Sequence, residues 1–240
     1  MRVLCFSPHP DDTEAMCGGT LAKYKAQGHD IAIATLTNGN VGSPTLSREE
    51  IAVVREQEAR DAAAFIGAEL FWMGYEDEFL YDTPDVRRHV IDVLRQFKPH
   101  IVLCPDKDKC YHPDHTRTGQ LVWDTHVMAA VRLIETDHPP CDDIHEIWYY
   151  DTPGGIGFDP EHYVDISDYW DVKVKMAEIH KSQDDWCRAM YDIGLSEIIE
   201  PQSRFRGYQC GCKYAEGFRK ARMFPQRVRK DALLPSGFEN

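Results

Sequence analysis

Through the first two-thirds of the chain, short apolar runs alternate with longer amphipathic ones, the pattern of β-α-β units around a parallel sheet. Arg2–Phe6 (RVLCF) predicts a first strand and Ile31–Leu36 (IAIATL) a second, with a helix between them that opens at Gly18-Gly19 and ends near Gly28. Ser47 and Glu50 form a capping box that launches a long helix to about Phe65. Glu69–Met73 predicts a third strand, and a helix follows from about Asp85 to Phe97. Pro99 stops that helix before a fourth strand at Ile101–Cys104. The polar loop PDKDKCYHPDH leads into a helix over about Thr116–Ile134. Glu146–Tyr150 predicts a fifth strand and Asp171–Gln183 a further helix. Beyond Asp184 the pattern weakens, so residues 184–240 are read as an extension of one domain spanning 1–240.

The expected fold is α/β, Rossmann-like and three-layered, with a mostly parallel sheet in the order 3-2-1-4-5. In that order the first and fourth strands are neighbours whose following loops diverge, and ligands bind in the crevice outside their C-terminal ends. Those two loops carry the most distinctive strings in the chain, His9-Pro10-Asp11-Asp12 and His112-Pro113-Asp114-His115. The topology would bring residues about 100 positions apart face to face.

The residue types suit zinc. A catalytic zinc takes three protein ligands from His and carboxylate and keeps a position for water, whereas calcium and magnesium prefer all-oxygen sets. The three histidines and three aspartates of the two strings supply such ligands and leave carboxylates over for proton transfer. Either string alone is no more than a turn or cap; the pair, at corresponding strand ends, makes a site.

Composition narrows the class of partner. With 40 acidic against 27 basic residues the net charge is −13, a surface that disfavours nucleic acid and anionic membranes. No stretch approaches the ~20 apolar residues of a membrane span, and the N-terminus lacks a secretory pattern, so a cytoplasmic location is expected. The eight cysteines are scattered without a CxxC pair, which fits reduced thiols. Cys17 and Cys110 lie near the two strings and are expected to line the site without binding metal.

HPDDTE with CGGTLAKYKAQGH, TLTNG after the second strand, and HPDH together resemble the PIG-L/LmbE-type zinc-dependent N-acetylglucosaminyl deacetylases. Arg55-Glu-Gln-Glu-Ala, GYEDEFL at 74–80, His180-Lys-Ser-Gln183 and Tyr214-Ala-Glu-Gly-Phe218 extend the likeness over nearly the whole chain. The resemblance implies hydrolysis of an N-acetyl group from a small amino-sugar conjugate, with His9, Asp12 and His115 as zinc ligands. It implies Asp11 as general base, protonated His112 as oxyanion stabiliser or acid for the leaving amine, and Asp114 as the group that orients His112. Arg55 and Asp77 fall where relatives contact substrate hydroxyls, and an oligomer is a further expectation. Some relatives carry a tyrosine where this chain has Cys110, with Tyr111 adjacent.

Other features are read as structural. His180 is a helix-end residue that could border the pocket, and Glu14 supports the metal loop. Arg204, Arg206, Arg219, Lys220 and Arg222 make a solvated face or subunit contact rather than a phosphate site. A nucleotide-binding module is disfavoured because SPHPDD lacks the glycine fingerprint for pyrophosphate. A purely structural zinc is disfavoured because such sites close four Cys/His ligands. A zinc hydrolase of another small amide stays as the alternative.

Overall fold

In the computed structural model, which describes residues 1–143 and 145–223, β1 (Arg2–Ser7) is an interior strand of the sheet, between its second and fourth strands. Its residues alternate between the two faces as the strand period of two requires. Leu4 and Phe6 join the core on one side, and Val3 and Cys5 the core on the other. A strand covered on both faces is apolar throughout, which is why RVLCF carries no polar alternation.

The sheet has seven strands, with β2 (Asp30–Thr37), β3 (Glu69–Tyr75), β4 (Ile101–Pro105), β5 (Glu146–Tyr150), β6 (His162–Asp165) and β7 (Ala215–Lys220) in the order β3-β2-β1-β4-β5-β7-β6. β1 pairs in parallel with both β2 and β4, so the expected switch point is present. β7 is antiparallel to β5 and β6.

Helices α3 (Pro84–Phe97) and α4 (Pro113–Thr125) cover one face through Val90, Leu94, Leu121 and Val122. On the other face, α1 (Asp12–Ala26) and α2 (Arg48–Ile66) contribute Leu21, Tyr24 and Ala63. Each fully buried leucine or phenylalanine contributes roughly 1.5–3 kcal/mol. The expected capping box is formed: Ser47 accepts from the Glu50 N–H, Glu50 accepts from the Ser47 N–H, and Gly67 closes α2 in the left-handed region.

Several boundaries differ from the sequence expectation. α1 starts at Asp12, not at Gly18, and is broken at Cys17 (φ −144°). The Glu216 carboxylate on β7 accepts the N–H groups of Gly19 (3.0 Å) and Thr20 (2.7 Å), and so caps the second half of the helix. Lys173, buried with it, balances the charge at 2.6 Å. The helix after HPDH ends at Thr125 and is followed by a short 3₁₀ turn at Met128–Ala130. The single helix expected at 171–183 is two, α5 (Trp170–Ile179) and α6 (Lys181–Tyr191), broken at His180. α7 (Leu195–Cys210) and β7 build residues 195–220 into the same layers and sheet. The part of the 184–240 extension past Met223 lies outside the described residues.

Each basic residue named near the C-terminus has a carboxylate partner; Arg204 and Arg222 are solvated as expected, whereas Arg206 is not. Arg206 is buried and forks onto Asp151 at 2.6 and 3.1 Å. Arg219 meets Asp106, Lys220 meets Glu146, Arg204 meets Glu200 and Arg222 meets Glu161. Among the described residues no helix is long and apolar enough to cross a membrane.

Candidate active site

The loop after β1 is fixed before it reaches the chemistry. Thr37 of β2 donates both its N–H and its hydroxyl to the Pro8 carbonyl at 2.9 Å, and the Ser7 hydroxyl donates to the His9 carbonyl at 2.7 Å. Asp11 then takes φ 123°, ψ −26°, well off the regions open to a side chain, and α1 begins at the next residue. Such strain costs of order 1–3 kcal/mol and persists only where surrounding contacts enforce it. Here the enforcing contact is Arg55, whose Nη2 donates to the Pro10 carbonyl at 2.8 Å and to Asp11 Oδ1 at 3.3 Å.

The loop after β4 arrives opposite. His112 is the N-cap of α4, its Nδ1 accepting the Asp114 N–H at 3.3 Å, with Pro113 as the first helical residue. His115 stands one turn into the helix and is nearly fully buried. The imidazoles of His9, His112 and His115 lie with centroids 4.7–5.2 Å apart.

Asp12 joins the two loops. Its Oδ2 lies 2.9 Å from His9 Nδ1 and 3.2 Å from His115 Nε2. Those spacings match the edge of a tetrahedral zinc site, about 3.3 Å for ligands ~2.0 Å from the ion. The opposite nitrogens are held as metal-binding imidazoles require. His9 Nε2 faces Asp77 Oδ1 at 3.1 Å and Asp114 Oδ2 at 3.3 Å, and His115 Nδ1 faces Cys110 Sγ at 3.3 Å. Among the described residues the groups whose donor atoms all lie within 4.8 Å of one another are His9/His112/His115 and His9/Asp77/Asp114, each sharing His9 with the Asp12 bridge. His112 Nδ1 is spent on the helix cap and its Nε2 faces Glu78 Oε1 at 3.1 Å, so it suits a metal less than Asp12 does.

Electrostatics agree with a cation site. Burial alone would lower His9, but Asp114, Asp12 and Asp77 hold it well above its ordinary value. Burial would likewise lower His115, and Asp12 instead pushes it up to about 9. Burial would raise Asp12, yet His115 and His9 keep it well below the usual carboxylate range. The field that draws protons to these imidazoles is the field a divalent ion would neutralise. The donor set and its outer partners therefore fit zinc.

Asp11 is the exception among these carboxylates: burial pushes it up to about 6, with Arg55 acting against the rise. His112 moves down, through burial and the neighbouring His9 and His115. It is thus disposed to stay a neutral imidazole rather than the protonated one expected, with Nδ1 accepting and Nε2–H donating.

Other expected roles change. Asp114 does not reach the His112 ring with its carboxylate; it accepts the N–H groups of Glu78 (2.8 Å) and Leu80 (3.3 Å) and contacts His9. The carboxylate that meets the His112 ring is that of Glu78, a contact between two loops that the sequence pattern does not announce. Arg55 and Asp77 line the cavity; the two terminal nitrogens of Arg55 serve Gly39, Pro10 and Asp11 and Asp77 serves His9, while Arg55 Nε makes no hydrogen bond among the described residues. Tyr111 is 77% exposed at the cavity mouth, while Cys110 backs His115. His180 is fully buried, 3.6 Å from Glu14, and away from the cavity lining.

The cavity over the histidines has a volume of about 240 Å³. A larger one of about 670 Å³ lies by Arg87, Ile91 and Leu133 and holds none of these groups. Residues of α6 and α7, among them Trp186, Ile198 and Gln202, form the far wall and were not anticipated.

The PIG-L family model, described as GlcNAc-PI de-N-acetylase, matches residues 4–126. This chain belongs to the PIG-L family. It is accordingly an enzyme of the deacetylase class, which hydrolyses the amide bond of N-acetyl groups. Among curated relatives, the diacetylchitobiose deacetylase of Thermococcus kodakarensis is 32% identical over 232 residues, covering 91% of this chain and 82% of that protein. The probable N-acetyl-alpha-D-glucosaminyl L-malate deacetylase 2 of Bacillus anthracis is 32% identical over 212 residues, covering 83% and 90%. The solved N,N'-diacetylchitobiose deacetylase of Pyrococcus horikoshii superposes with a TM-score of 0.81 at 29% identity, covering 92% of this chain and 83% of that one. The β1 and β4 loops, with the Arg55 and Asp77 segments, all fall inside the span of the PIG-L match.

Proposed function

We propose that this protein is a zinc-dependent hydrolase that removes the N-acetyl group from a small amino-sugar conjugate, giving acetate and a free amine. The observation that carries the reading is the Asp12 carboxylate set between His9 Nδ1 and His115 Nε2, with Asp11 beside it on a strained backbone. His9, Asp12 and His115 would hold the ion, which would polarise the acetamide oxygen and lower the pKa of a water in the site.

Asp11 supplies the base. Near neutral pH its carboxylate accepts a proton from the attacking water as the oxygen adds to the acetamide carbon. The same carboxyl then returns that proton to the nitrogen as the C–N bond breaks. His112 supplies a donor: its Nε2–H, fixed by the cap bond at Nδ1, is free to leave Glu78 for the oxyanion. One such donor is typically worth ~3–4 kcal/mol in the transition state. Arg55 orients Asp11, and Asp77 and Asp114 orient His9.

The cavity, at 240 Å³ just under the roughly 300–1,000 Å³ of ordinary ligand sites, favours a small substrate over a large one, and the acidic surface argues against nucleic acid or an anionic membrane as the partner. The test is acetate and amine release from N-acetylglucosamine conjugates, with and without a chelator, for the natural protein and Asp11→Ala. The reading requires chelator-sensitive turnover that Asp11→Ala loses while keeping bound zinc. Stoichiometric zinc with no acetamide hydrolysed would overturn it.

A further inference from the structure

The relatives differ in what is attached to the sugar, one acting on a neutral disaccharide and another on a malate conjugate. The cavity of this chain bears on that choice. Its metal end is lined by Asp11, Asp12, Asp77 and Glu78, and Arg55 is the one lysine or arginine among the described lining residues. That guanidinium is nearly fully buried and already faces Asp11 and Asp77. Even with a divalent ion on the histidines, the charge around the cavity stays negative.

The opposite wall is apolar. Trp186, Tyr191, Leu195 and Ile198 line it, and the Trp186 ring is braced edge-on by Tyr191 at 5.6 Å and 76°. Gln202, at the same wall, spends its amide on Gly154 N–H and Thr152 O. A carboxylate or phosphate entering here would lose water, meet no free cation and face like charges. An uncharged ring with an apolar face would bury that face against the indole at no such cost.

We propose that the group attached to the acetylated sugar is uncharged, a second pyranose ring stacked on Trp186, and that anionic conjugates are rejected. The proposal rests on the deacetylase reading and narrows it.

The experiment compares kcat/KM of the full-length zinc-loaded protein for N,N'-diacetylchitobiose, free N-acetylglucosamine and N-acetylglucosaminyl malate. Diacetylchitobiose should exceed the monosaccharide about ten-fold through the stacked ring. The malate conjugate should fall about 100-fold below diacetylchitobiose. Trp186→Ala should lower the disaccharide-to-monosaccharide ratio about ten-fold, and Trp186→Phe should restore most of it. Malate turnover equal to that of the disaccharide, or a disaccharide-to-monosaccharide ratio near one in the natural protein, overturns this inference alone. Hydrolysis of none of the three overturns the deacetylase reading with it.

Discussion

Arg55 Nη2 donates to the Pro10 carbonyl at 2.8 Å and to Asp11 Oδ1 at 3.3 Å, so one guanidinium fixes both the strained backbone and the side chain of the proposed base. The fork is closely packed, since a Cβ at Gly39 would meet Arg55 Nε at 2.4 Å. A lysine ammonium could at best replace Nη2; it has no second nitrogen to hold the Gly39 carbonyl and face Asp77 as Nη1 does at 3.3 and 3.8 Å. Arg55→Lys is expected to lower kcat about 10–100-fold while zinc content is unchanged, because misplacing a reacting group by about 1 Å costs on that order. Steady-state kinetics with metal analysis checks this.

Asp11→Asn should lower kcat by 10²–10⁴, the usual contribution of a general base. In the natural protein, burial places the Asp11 carboxyl at about 6. The base acts ionised, so kcat/KM should rise with pH towards a plateau above that region, and bound zinc would move the rise lower. A pH–rate profile that is flat from pH 4 to 8 (about two units either side of the shifted value) would exclude Asp11 as the base.

The same group sets a stability effect of known sign. Its folded value, about 6, lies above the ordinary 3.8. Its contribution is therefore full below 3.8 and lost as pH rises through 6. At pH 7 the ionised carboxylate is a burden on the fold. Asp11→Asn should raise the stability of the metal-free protein by roughly 1–2 kcal/mol at pH 7, a gain that shrinks as pH falls towards 4. Denaturant melts at the two pH values measure it.

Zinc ligation should appear as added stability. Saturating zinc at ~100 times its Kd would stabilise the natural protein by ~2.7 kcal/mol. His115→Ala should abolish most of that gain, and Cys110→Ser should preserve most of it, since Cys110 touches only the far nitrogen of His115. Loss of zinc stabilisation in Cys110→Ser to the same degree as in His115→Ala would make Cys110 a ligand instead.

Lys173→Met strands Glu216 in the core, although Glu216 keeps its two bonds to the Gly19 and Thr20 N–H groups. The expected loss is ~3–5 kcal/mol. Lys173→Met with Glu216→Gln should recover part of it, because the uncharged amide oxygen still caps the helix. Thermal denaturation of the single and double variants decides the coupling.

What could be read from the chain beforehand was whatever local chemistry announces. The Ser47–Glu50 capping box, the apolar strands beside β1 and the two His-Pro-Asp strings all stand out without tertiary context, and their positions at neighbouring strand ends follow from the sheet order. β7 did not stand out, because AEGFRK places a charged residue inward. Glu216 is buried as the cap of a broken helix two hundred residues earlier, a role that periodicity cannot express. Glu78 carries no local signal for a similar reason: its contact with His112 joins two loops distant in sequence. The His180 break divided one expected helix into two and created the cavity wall from α6.

That wall has an architectural address of its own. The residues proposed for metal and proton chemistry all fall within 4–126, whereas Trp186, Tyr191 and Ile198 lie on helices inserted between β6 and β7, the antiparallel pair appended to the parallel sheet. The residues proposed for the reaction and the apolar wall proposed to take the second ring thus occupy separate stretches of the chain. Drift in the appended stretch can retune what is accepted while leaving the reaction intact, and transplanting residues 166–214 from a relative is the natural route to a deacetylase with a borrowed appetite.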